Sequence, residues 1–236
     1  MEVIKVKGYG ELSKRAASIV AEQISKKPDS VLCLPTGATP LGMYKELVKM
    51  EIDFSEVTTF NLDEYVGLGK EDKESYHYYM FHRLFDHINI KKENINMLDG
   101  KAKDLKKECE EYERKIAQKG IDLLFLGIGV NGHIGMNEPG TSFSSETHVV
   151  NLSEETRKQN SKYFEGKEMP LQAMTMGIRT LMEAKKIILM ASGKSKAEII
   201  SRLIKEGVSY SLPASVLKMH KNATLLVDGE AANLLK

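Results

Sequence analysis

Apolar runs of strand length recur along the chain, separated by stretches of helical periodicity. The runs span residues 30–34, 57–62, 121–128, 186–191 and 223–227. They lack polar alternation, which predicts strands covered on both faces. Apolar residues recur at helical spacing between positions 12 and 24, and residues 102–120 read as a charged surface helix that stops at Gly120. This order predicts an α/β fold, with a parallel sheet and helices on both of its faces.

No linker, internal repeat or low-complexity tract interrupts this pattern, although residues 67–74 are rich in glycine and charge and are typical of a long loop. An α/β chain of 236 residues can form one unit with a single large core. We therefore predict that residues 1–236 form a single domain.

The charge balance and the cysteines indicate which partners and which cellular compartment to expect. The chain has 34 basic and 33 acidic residues, so no global field attracts a nucleic-acid backbone or an acidic membrane. Cys33 and Cys109 show no pairing or metal-binding pattern, which favours a reducing cytoplasm. The sequence shows neither a signal peptide nor an apolar run of membrane-spanning length. We expect a cytoplasmic protein that binds neither nucleic acid nor membrane.

Polar loops follow four of the predicted strands. They read PTGATP, DEYVGL, GVNGHIGMNEPG and SGKSK. Ligands of open α/β sheets collect beyond the carboxyl ends of the strands, so we expect these loops to converge.

The PTGATP loop is a candidate phosphate site. Gly37, Ala38 and Thr39 precede a helical pattern that starts near Leu41, and backbone N–H groups at a helix N-terminus bind phosphate. The alternative is an ordinary turn with a threonine cap. The GKS tripeptide at residues 193–195 is not a nucleotide P-loop, because that motif needs a glycine where Ile188 stands.

The glycines of GIGVNG, which starts at Gly127, match the spacing of a dinucleotide-binding fingerprint. That fingerprint opens a long helix, whereas here a polar loop with Pro139 and Gly140 follows. The sequence therefore disfavours a nicotinamide cofactor. We expect these glycines to let the backbone approach a substrate closely.

Acid–base chemistry has three candidates. His133 and Glu138 can meet across their loop, where a carboxylate supports the basicity of an imidazole. Asp63 follows a buried strand, and apolar surroundings lift the pKa of a carboxyl toward that of a general base. The alternatives are a solvated histidine and an aspartate that caps a turn. No metal site is expected, because the histidines lack the spacing of metal ligands.

Several segments together resemble the glucosamine-6-phosphate deaminase family over nearly the whole chain. They are LPTGATPLGMYKEL, FNLDEYVGL, SYHYYM, LGIGVNGHIGMNEPG and SFSSETH. The resemblance implies a modified Rossmann-like domain and a hydrolase acting on an amino-sugar phosphate without cofactor or metal. The implied reaction turns glucosamine 6-phosphate into fructose 6-phosphate and ammonia, in amino-sugar catabolism and N-acetylglucosamine degradation.

The same resemblance implies roles for individual residues. His133 would open the sugar ring, with Asn131 and Glu138 orienting it, and Asp63 would take the C2 proton to give an enolamine. The phosphate would be bound by the residues of the threonine- and glycine-rich loop and by two later lysines, namely Thr36, Gly37, Ala38, Thr39, Lys162 and Lys196. Some members carry arginine where this chain has Lys162, so bidentate geometry is lost while the charge is kept.

The chain departs from the family pattern at two places. Other members carry aspartate at the position of Asn131, so we expect a less basic His133. His148 and Val150 stand where allosterically activated members carry arginine and lysine, which predicts hyperbolic kinetics without an activator.

Three alternatives remain beside this reading. They are a 6-phosphogluconolactonase, which needs no C2 base, a deaminase of galactosamine 6-phosphate, and a sugar-phosphate sensor. The last would need a DNA-binding module for which the chain has no spare length. The choice between monomer and homo-oligomer stays open.

Overall fold

A seven-stranded parallel sheet forms the centre of the protein in the computed structural model, which describes residues 1–161, 164 and 167–235. Its strands occur in the order β1-β10-β9-β6-β2-β3-β5, and β4, β7 and β8 form a second sheet. The ten strands are β1 (Glu2–Val6), β2 (Val31–Leu34), β3 (Thr58–Asn61), β4 (Asp63–Tyr65), β5 (Ile95–Asn96), β6 (Leu123–Gly127), β7 (His148–Asn151), β8 (Gln172–Thr175), β9 (Ile187–Ala191) and β10 (Ala223–Asp228).

Helices cover both faces of the main sheet, which confirms the predicted α/β fold. They are α1 (Tyr9–Lys26), α2 (Leu41–Leu47), α3 (Tyr76–Arg83), α4 (Leu105–Lys119), α5 (Glu154–Asn160), α6 (Ile178–Met182) and α7 (Ala197–Lys205). Along β2, Leu32 and Leu34 join a hydrophobic cluster with residues of α1, α2 and α3, whereas Cys33 joins a cluster with residues of α4, α6 and α7. Because successive side chains of a strand point to opposite faces, both faces of the sheet are apolar and buried.

The five predicted runs correspond to β2, β3, β6, β9 and β10. Two further strands of the main sheet escaped prediction. The strand β1 lies at one edge of the sheet, and it contains exposed polar residues among its apolar ones. The strand β5 is only two residues long. Helix α4 ends as predicted at Gly120, whose φ of 69° requires the left-handed region that glycine tolerates.

The second sheet was not predicted, and it changes the position of Asp63. This residue was expected in a loop after a strand, but it begins β4, which the chain enters directly after β3 through Leu62. β4 pairs antiparallel with β8 and places Asp63 opposite Thr175. The pairing of β4 with β8 therefore fixes the backbone of Asp63 relative to that of Thr175.

The strand order reverses between β2 and β6. From β2 the chain adds β3 and β5 on one side, and it then returns to add β6, β9 and β10 on the other. Such a switch point opens a crevice beyond the carboxyl ends of the two strands, where ligands of α/β proteins bind. In the part of the chain that the structure describes, no helix is long and apolar enough to span a membrane.

Candidate active site

The loops after β2 and β6 lie at the switch point, and Asp63 of the second sheet lies near the loop after β6. A Cβ atom added to Gly135, in the loop after β6, would stand 3.9 Å from Oδ2 of Asp63. The carboxyl group of Asp63 therefore faces the loop that carries His133. The predicted convergence holds for these two segments.

The loop after β6 folds back on itself around His133. The N–H of Gly129 donates to the carbonyl of His133 at 3.0 Å, and the N–H of Gly132 donates to the carbonyl of Gly129 at 3.0 Å. The imidazole lies against Gly129, where a Cβ would come within 2.3 Å of the ring. A Cβ on Gly132 would strike Leu212. These two glycines leave room for the side chains of His133 and Leu212, and close approach of the loop backbone to a substrate stays a prediction.

Glu138 is held by three side-chain donors. Nδ2 of Asn131 donates to its Oε2 at 2.7 Å, and the hydroxyls of Ser153, at 3.1 Å, and of Thr156 donate to its Oε1. Oε2 of Glu138 lies 3.9 Å from Nδ1 of His133, a charge-pair distance that is too long for a hydrogen bond. Asn131 also accepts a hydrogen bond from the backbone N–H of His133 at 3.1 Å. The structure thus brings together the three residues predicted for ring opening.

Burial dominates the protonation of His133. It lowers the pKa of the imidazole below its ordinary value, the Glu138 carboxylate opposes that shift, and the Lys196 ammonium adds to it. The expectation that His133 is less basic than in members with aspartate at the position of Asn131 stays a prediction. A neutral imidazole at this position can accept a proton near neutral pH.

Asp63 is a buried acid with an unusual pKa. Its side chain is almost fully enclosed, and burial, aided by the charge of Glu64, raises its pKa to about 8. None of the residues that the structure describes donates a hydrogen bond to its carboxyl oxygens. Once ionised, such a carboxylate is a stronger base than an exposed aspartate.

The neighbouring Glu64 has a different task. Its carboxylate accepts hydrogen bonds from the backbone N–H groups of Tyr65 at 2.8 Å, Tyr76 at 3.0 Å and His77 at 2.8 Å. The last two N–H groups belong to the first turn of α3, where the N-cap Ser75 binds Tyr78. Glu64 therefore caps a helix, which leaves Asp63 as the carboxyl group available for chemistry.

The predicted phosphate-binding residues occupy two places. Residues 36–39 connect β2 to α2, and Gly37 has a φ of 98° that favours glycine. Lys196 ends a short 3₁₀ turn before α7 and lies near enough to His133 to affect its pKa. Lys162 lies outside the described residues.

Sequence reasoning missed Ser153 and Thr156 as partners of Glu138. Ser153 is the N-cap of α5, and its hydroxyl accepts the backbone N–H of Thr156. A serine followed by two glutamates is a signal for a helix start, because serine is a favoured N-cap and acidic residues are enriched in the first turn, and it predicts the cap. It does not predict which distant carboxylate the two hydroxyls reach. Among the described residues, no group of three or more histidine, cysteine or acidic side chains could hold a metal ion.

Comparisons with known proteins show the family of this chain. The family model described as glucosamine-6-phosphate isomerases/6-phosphogluconolactonase matches residues 8–226. A glucosamine-6-phosphate deaminase of Thermoanaerobacter sp. (strain X514) is 53% identical over 241 residues, which cover 100% of this chain and 95% of that protein. One from Clostridium botulinum (strain Langeland) is 51% identical over 242 residues, covering 100% and 99%.

Solved structures extend the comparison. A monomeric glucosamine-6-phosphate deaminase superimposes with a TM-score of 0.96 and 47% identity, covering 99% of this chain and 100% of that one. The 6-phosphogluconolactonase of Trypanosoma brucei superimposes with a TM-score of 0.83 at 19% identity, which shows the shared fold alone.

The comparisons correct one expectation. The resemblance predicts a hydrolase, but the matched family is described by its isomerases and the similar proteins are deaminases. The hydrolase assignment is therefore wrong. A hydrolase would account for the release of ammonia with uptake of water. It would not account for the isomerisation of the sugar, to which that release is coupled.

Proposed function

Because the chain belongs to the glucosamine-6-phosphate isomerase/6-phosphogluconolactonase family, we propose that it catalyses the isomerising deamination of glucosamine 6-phosphate. The products are fructose 6-phosphate and ammonia, and one water molecule is consumed. The observation that carries this proposal is Asp63, a buried carboxyl with a pKa of about 8 that faces the loop of His133. A sugar isomerase needs such a base, and hydrolysis of a lactone does not.

Ring opening is assigned to His133. The neutral imidazole moves a proton from the anomeric hydroxyl to the ring oxygen, which breaks the bond between C1 and that oxygen. Glu138, 3.9 Å from Nδ1, stabilises the imidazolium that forms on the way. Asn131 orients this pair through its bonds to Glu138 and to the backbone of His133.

Enolisation is assigned to Asp63. The ionised carboxylate takes the C2 proton of the open-chain aldehyde, the electron pair of that bond forms a double bond between C1 and C2, and the oxygen on C1 takes up a proton, which gives an enolamine. Return of a proton to C1 leaves an imine at C2. Water adds to the imine and ammonia departs, so the atoms balance without a cofactor.

Phosphate binding is assigned to the loop after β2 and to two lysines. Backbone N–H groups of residues 36–39 suit the phosphate oxygens, and Lys196 supplies a cation beside His133. Lys162 is proposed as the second cation. The ion pairs between these lysines and the phosphate hold the substrate while the two acid–base steps proceed at C1 and C2.

The setting of the enzyme is also a proposal. We infer that residues 1–236 act as one domain in the cytoplasm, in amino-sugar catabolism, which agrees with the free thiols of the buried Cys33 and Cys109. The monomeric state of the similar deaminase supports a monomer here. Light scattering of the purified protein measures that state directly.

Replacement of Asp63 tests the proposed chemistry. The wild-type protein should release ammonia and fructose 6-phosphate in equal amounts from glucosamine 6-phosphate, and it should exchange the C2 hydrogen with solvent deuterium. Asp63→Asn should bind the sugar phosphate and lose the exchange. The exposed Asp86 provides the control Asp86→Asn, which should retain it. Exchange at the wild-type rate in Asp63→Asn would remove Asp63 from the mechanism, and absence of ammonia from the wild type would refute the proposed function.

A further inference from the structure

Three tyrosine hydroxyls from three helices reach the backbone carbonyls of the loop after β2. Tyr44 of α2 donates to the carbonyl of Pro35. Tyr79 of α3 donates to Gly37 at 2.6 Å, and Tyr9 of α1 donates to Ala38 at 2.9 Å. The donors come from separate parts of the sequence, and their acceptors lie within four consecutive residues of the loop.

The three hydrogen bonds to carbonyl groups also fix the N–H groups of the same peptide units. In a trans peptide, the carbonyl of one residue and the N–H of the next point in opposite directions. Fixing the carbonyls of Pro35, Gly37 and Ala38 therefore fixes the N–H groups that follow them, and directs these away from the tyrosines. The three N–H groups are those of Thr36, Ala38 and Thr39.

These N–H groups remain open to a ligand. No residue that the structure describes accepts a hydrogen bond from the backbone N–H of Thr36, Ala38 or Thr39. Backbone N–H groups of a loop between a strand and a helix are donors that an anion can accept. The tyrosines hold the three peptide planes to which these N–H groups belong.

Local packing supports the role of Tyr9 in particular. Its hydroxyl also accepts the N–H of Gly42 at 2.7 Å, so it links the loop to the first turn of α2. A Cβ on Gly42 would stand 2.1 Å from Oγ of Ser13 and 3.0 Å from the Tyr9 ring. Only glycine lets α1 and α2 approach closely enough for this bond.

The Tyr44 hydroxyl is a permanent donor. Its burial raises the pKa of the phenol well above the ordinary value, and its ring meets that of Tyr79 edge-on at 6.4 Å between centroids. Because Tyr44 is a fully buried part of the core, Tyr9 and Tyr79 are the better sites for substitution.

We propose that Tyr9 and Tyr79 are positioning residues that hold the carbonyls of Gly37 and Ala38 so that the loop's N–H groups receive the substrate phosphate. The inference rests on the proposed function for the identity of that substrate. It concerns residues that touch the loop rather than the sugar. The hydroxyls lower the reorganisation needed on binding, so their loss should weaken affinity for phosphate more than it slows the chemistry.

Phenylalanine substitutions test the proposal. Tyr79→Phe and Tyr9→Phe should each raise the Kd for inorganic phosphate, measured by calorimetry, roughly 5-fold, as expected for one lost hydrogen bond. KM for glucosamine 6-phosphate should rise by a similar factor, while kcat at saturation stays within about twofold. The matched control is Tyr78→Phe on the same helix, since its ring stacks on His82 and its hydroxyl bonds to no described residue.

The outcomes separate this inference from the proposed function. A lower Tm in Tyr79→Phe and Tyr9→Phe with an unchanged Kd for phosphate would mean that the hydroxyls serve the fold alone, and would overturn the inference. Failure of the wild-type protein to bind phosphate would overturn it too. Weaker phosphate binding in both variants, in a protein that releases no ammonia, would support the positioning role and refute only the deaminase proposal.

Discussion

Asn131 donates a hydrogen bond to Oε2 of Glu138 at 2.7 Å, whereas the same oxygen stays 3.9 Å from Nδ1 of His133. The side-chain amide of Asn131 therefore forms the hydrogen bond to the Glu138 carboxylate. The His133 imidazole interacts with the same carboxylate through charge alone. An uncharged residue holds the pair in place. This separates orientation of the histidine from control of its basicity.

We predict that Asn131→Asp raises the pKa of His133. A second carboxylate beside the ring stabilises the imidazolium and opposes the effect of burial. The pKa is measured by NMR titration of the labelled imidazole, with the His133→Gln spectrum used to assign its signal. The matched control is Gln118→Glu on the exposed surface of α4, which makes the same amide-to-carboxylate change and should leave the titration unaltered. An unchanged or lower pKa in Asn131→Asp would contradict the prediction.

We predict that Thr156→Val lowers kcat about tenfold. The substitution keeps the shape of the side chain and removes the hydroxyl that donates to Oε1 of Glu138. Loss of a hydrogen bond to a charged group costs about 1.5–3 kcal/mol. Steady-state kinetics measures the effect. The control is Thr180→Val, because this buried hydroxyl donates to Glu113 at 2.8 Å and not to Glu138. Equal kinetics in the two variants would show that Thr156 contributes to stability only.

Much of this architecture could be predicted from local pattern. The buried strands of a parallel sheet are continuous apolar runs, so β2, β6 and β9 were visible, and the polar segments after them marked the edge where ligands bind. The glycine that ends α4 was visible for the same local reason.

The second sheet and the hydroxyls around Glu138 could not be predicted in this way. The strand β4 has only three residues and pairs with β8, far away in the sequence, so no periodicity marks it. Ser153 and Thr156 reach Glu138 only after the chain has folded. Short strands and long-range hydrogen bonds depend on tertiary contacts, and the local sequence carries no information about those contacts.

We predict that Lys196→Ala raises KM for glucosamine 6-phosphate roughly 10- to 100-fold, with a smaller effect on kcat. A cation near a phosphate dianion contributes a charge-assisted hydrogen bond that is similar in the ground and transition states. The measurement is a substrate titration at constant ionic strength. Lys194→Ala is the matched control, since that lysine is exposed in the same 3₁₀ turn. An unchanged KM in Lys196→Ala would place the phosphate elsewhere.

We predict hyperbolic kinetics that N-acetylglucosamine 6-phosphate does not activate. Val150 is paired with Ala173 in the second sheet, and Nδ1 of His148 lies 2.8 Å from the carbonyl of Glu146, so neither position offers the arginine or lysine of a second phosphate site. Allostery needs an effector that distinguishes two states. Substrate titrations with and without the effector test this. A sigmoid curve that the effector makes hyperbolic would refute it, whereas weak competitive inhibition agrees with it.

The last prediction concerns the free energy of unfolding of Asp63→Asn. The folded protein raises the pKa of Asp63 from 3.8 to about 8. Between these two values the folded state binds a proton that the unfolded state has released. The wild-type protein therefore loses stability as the pH rises from about 4 to 8, and asparagine at position 63 removes this loss. At about 1.36 kcal/mol per pKa unit, the stability gained by Asp63→Asn should grow across that window toward an upper limit of roughly 6 kcal/mol, although the variant is inactive. Urea unfolding at pH 5 and pH 8.5 measures the difference, and Asp86→Asn should show no such trend. Parallel stability curves for wild type and Asp63→Asn would show that Asp63 ionises freely in the folded protein and is not the buried base proposed here.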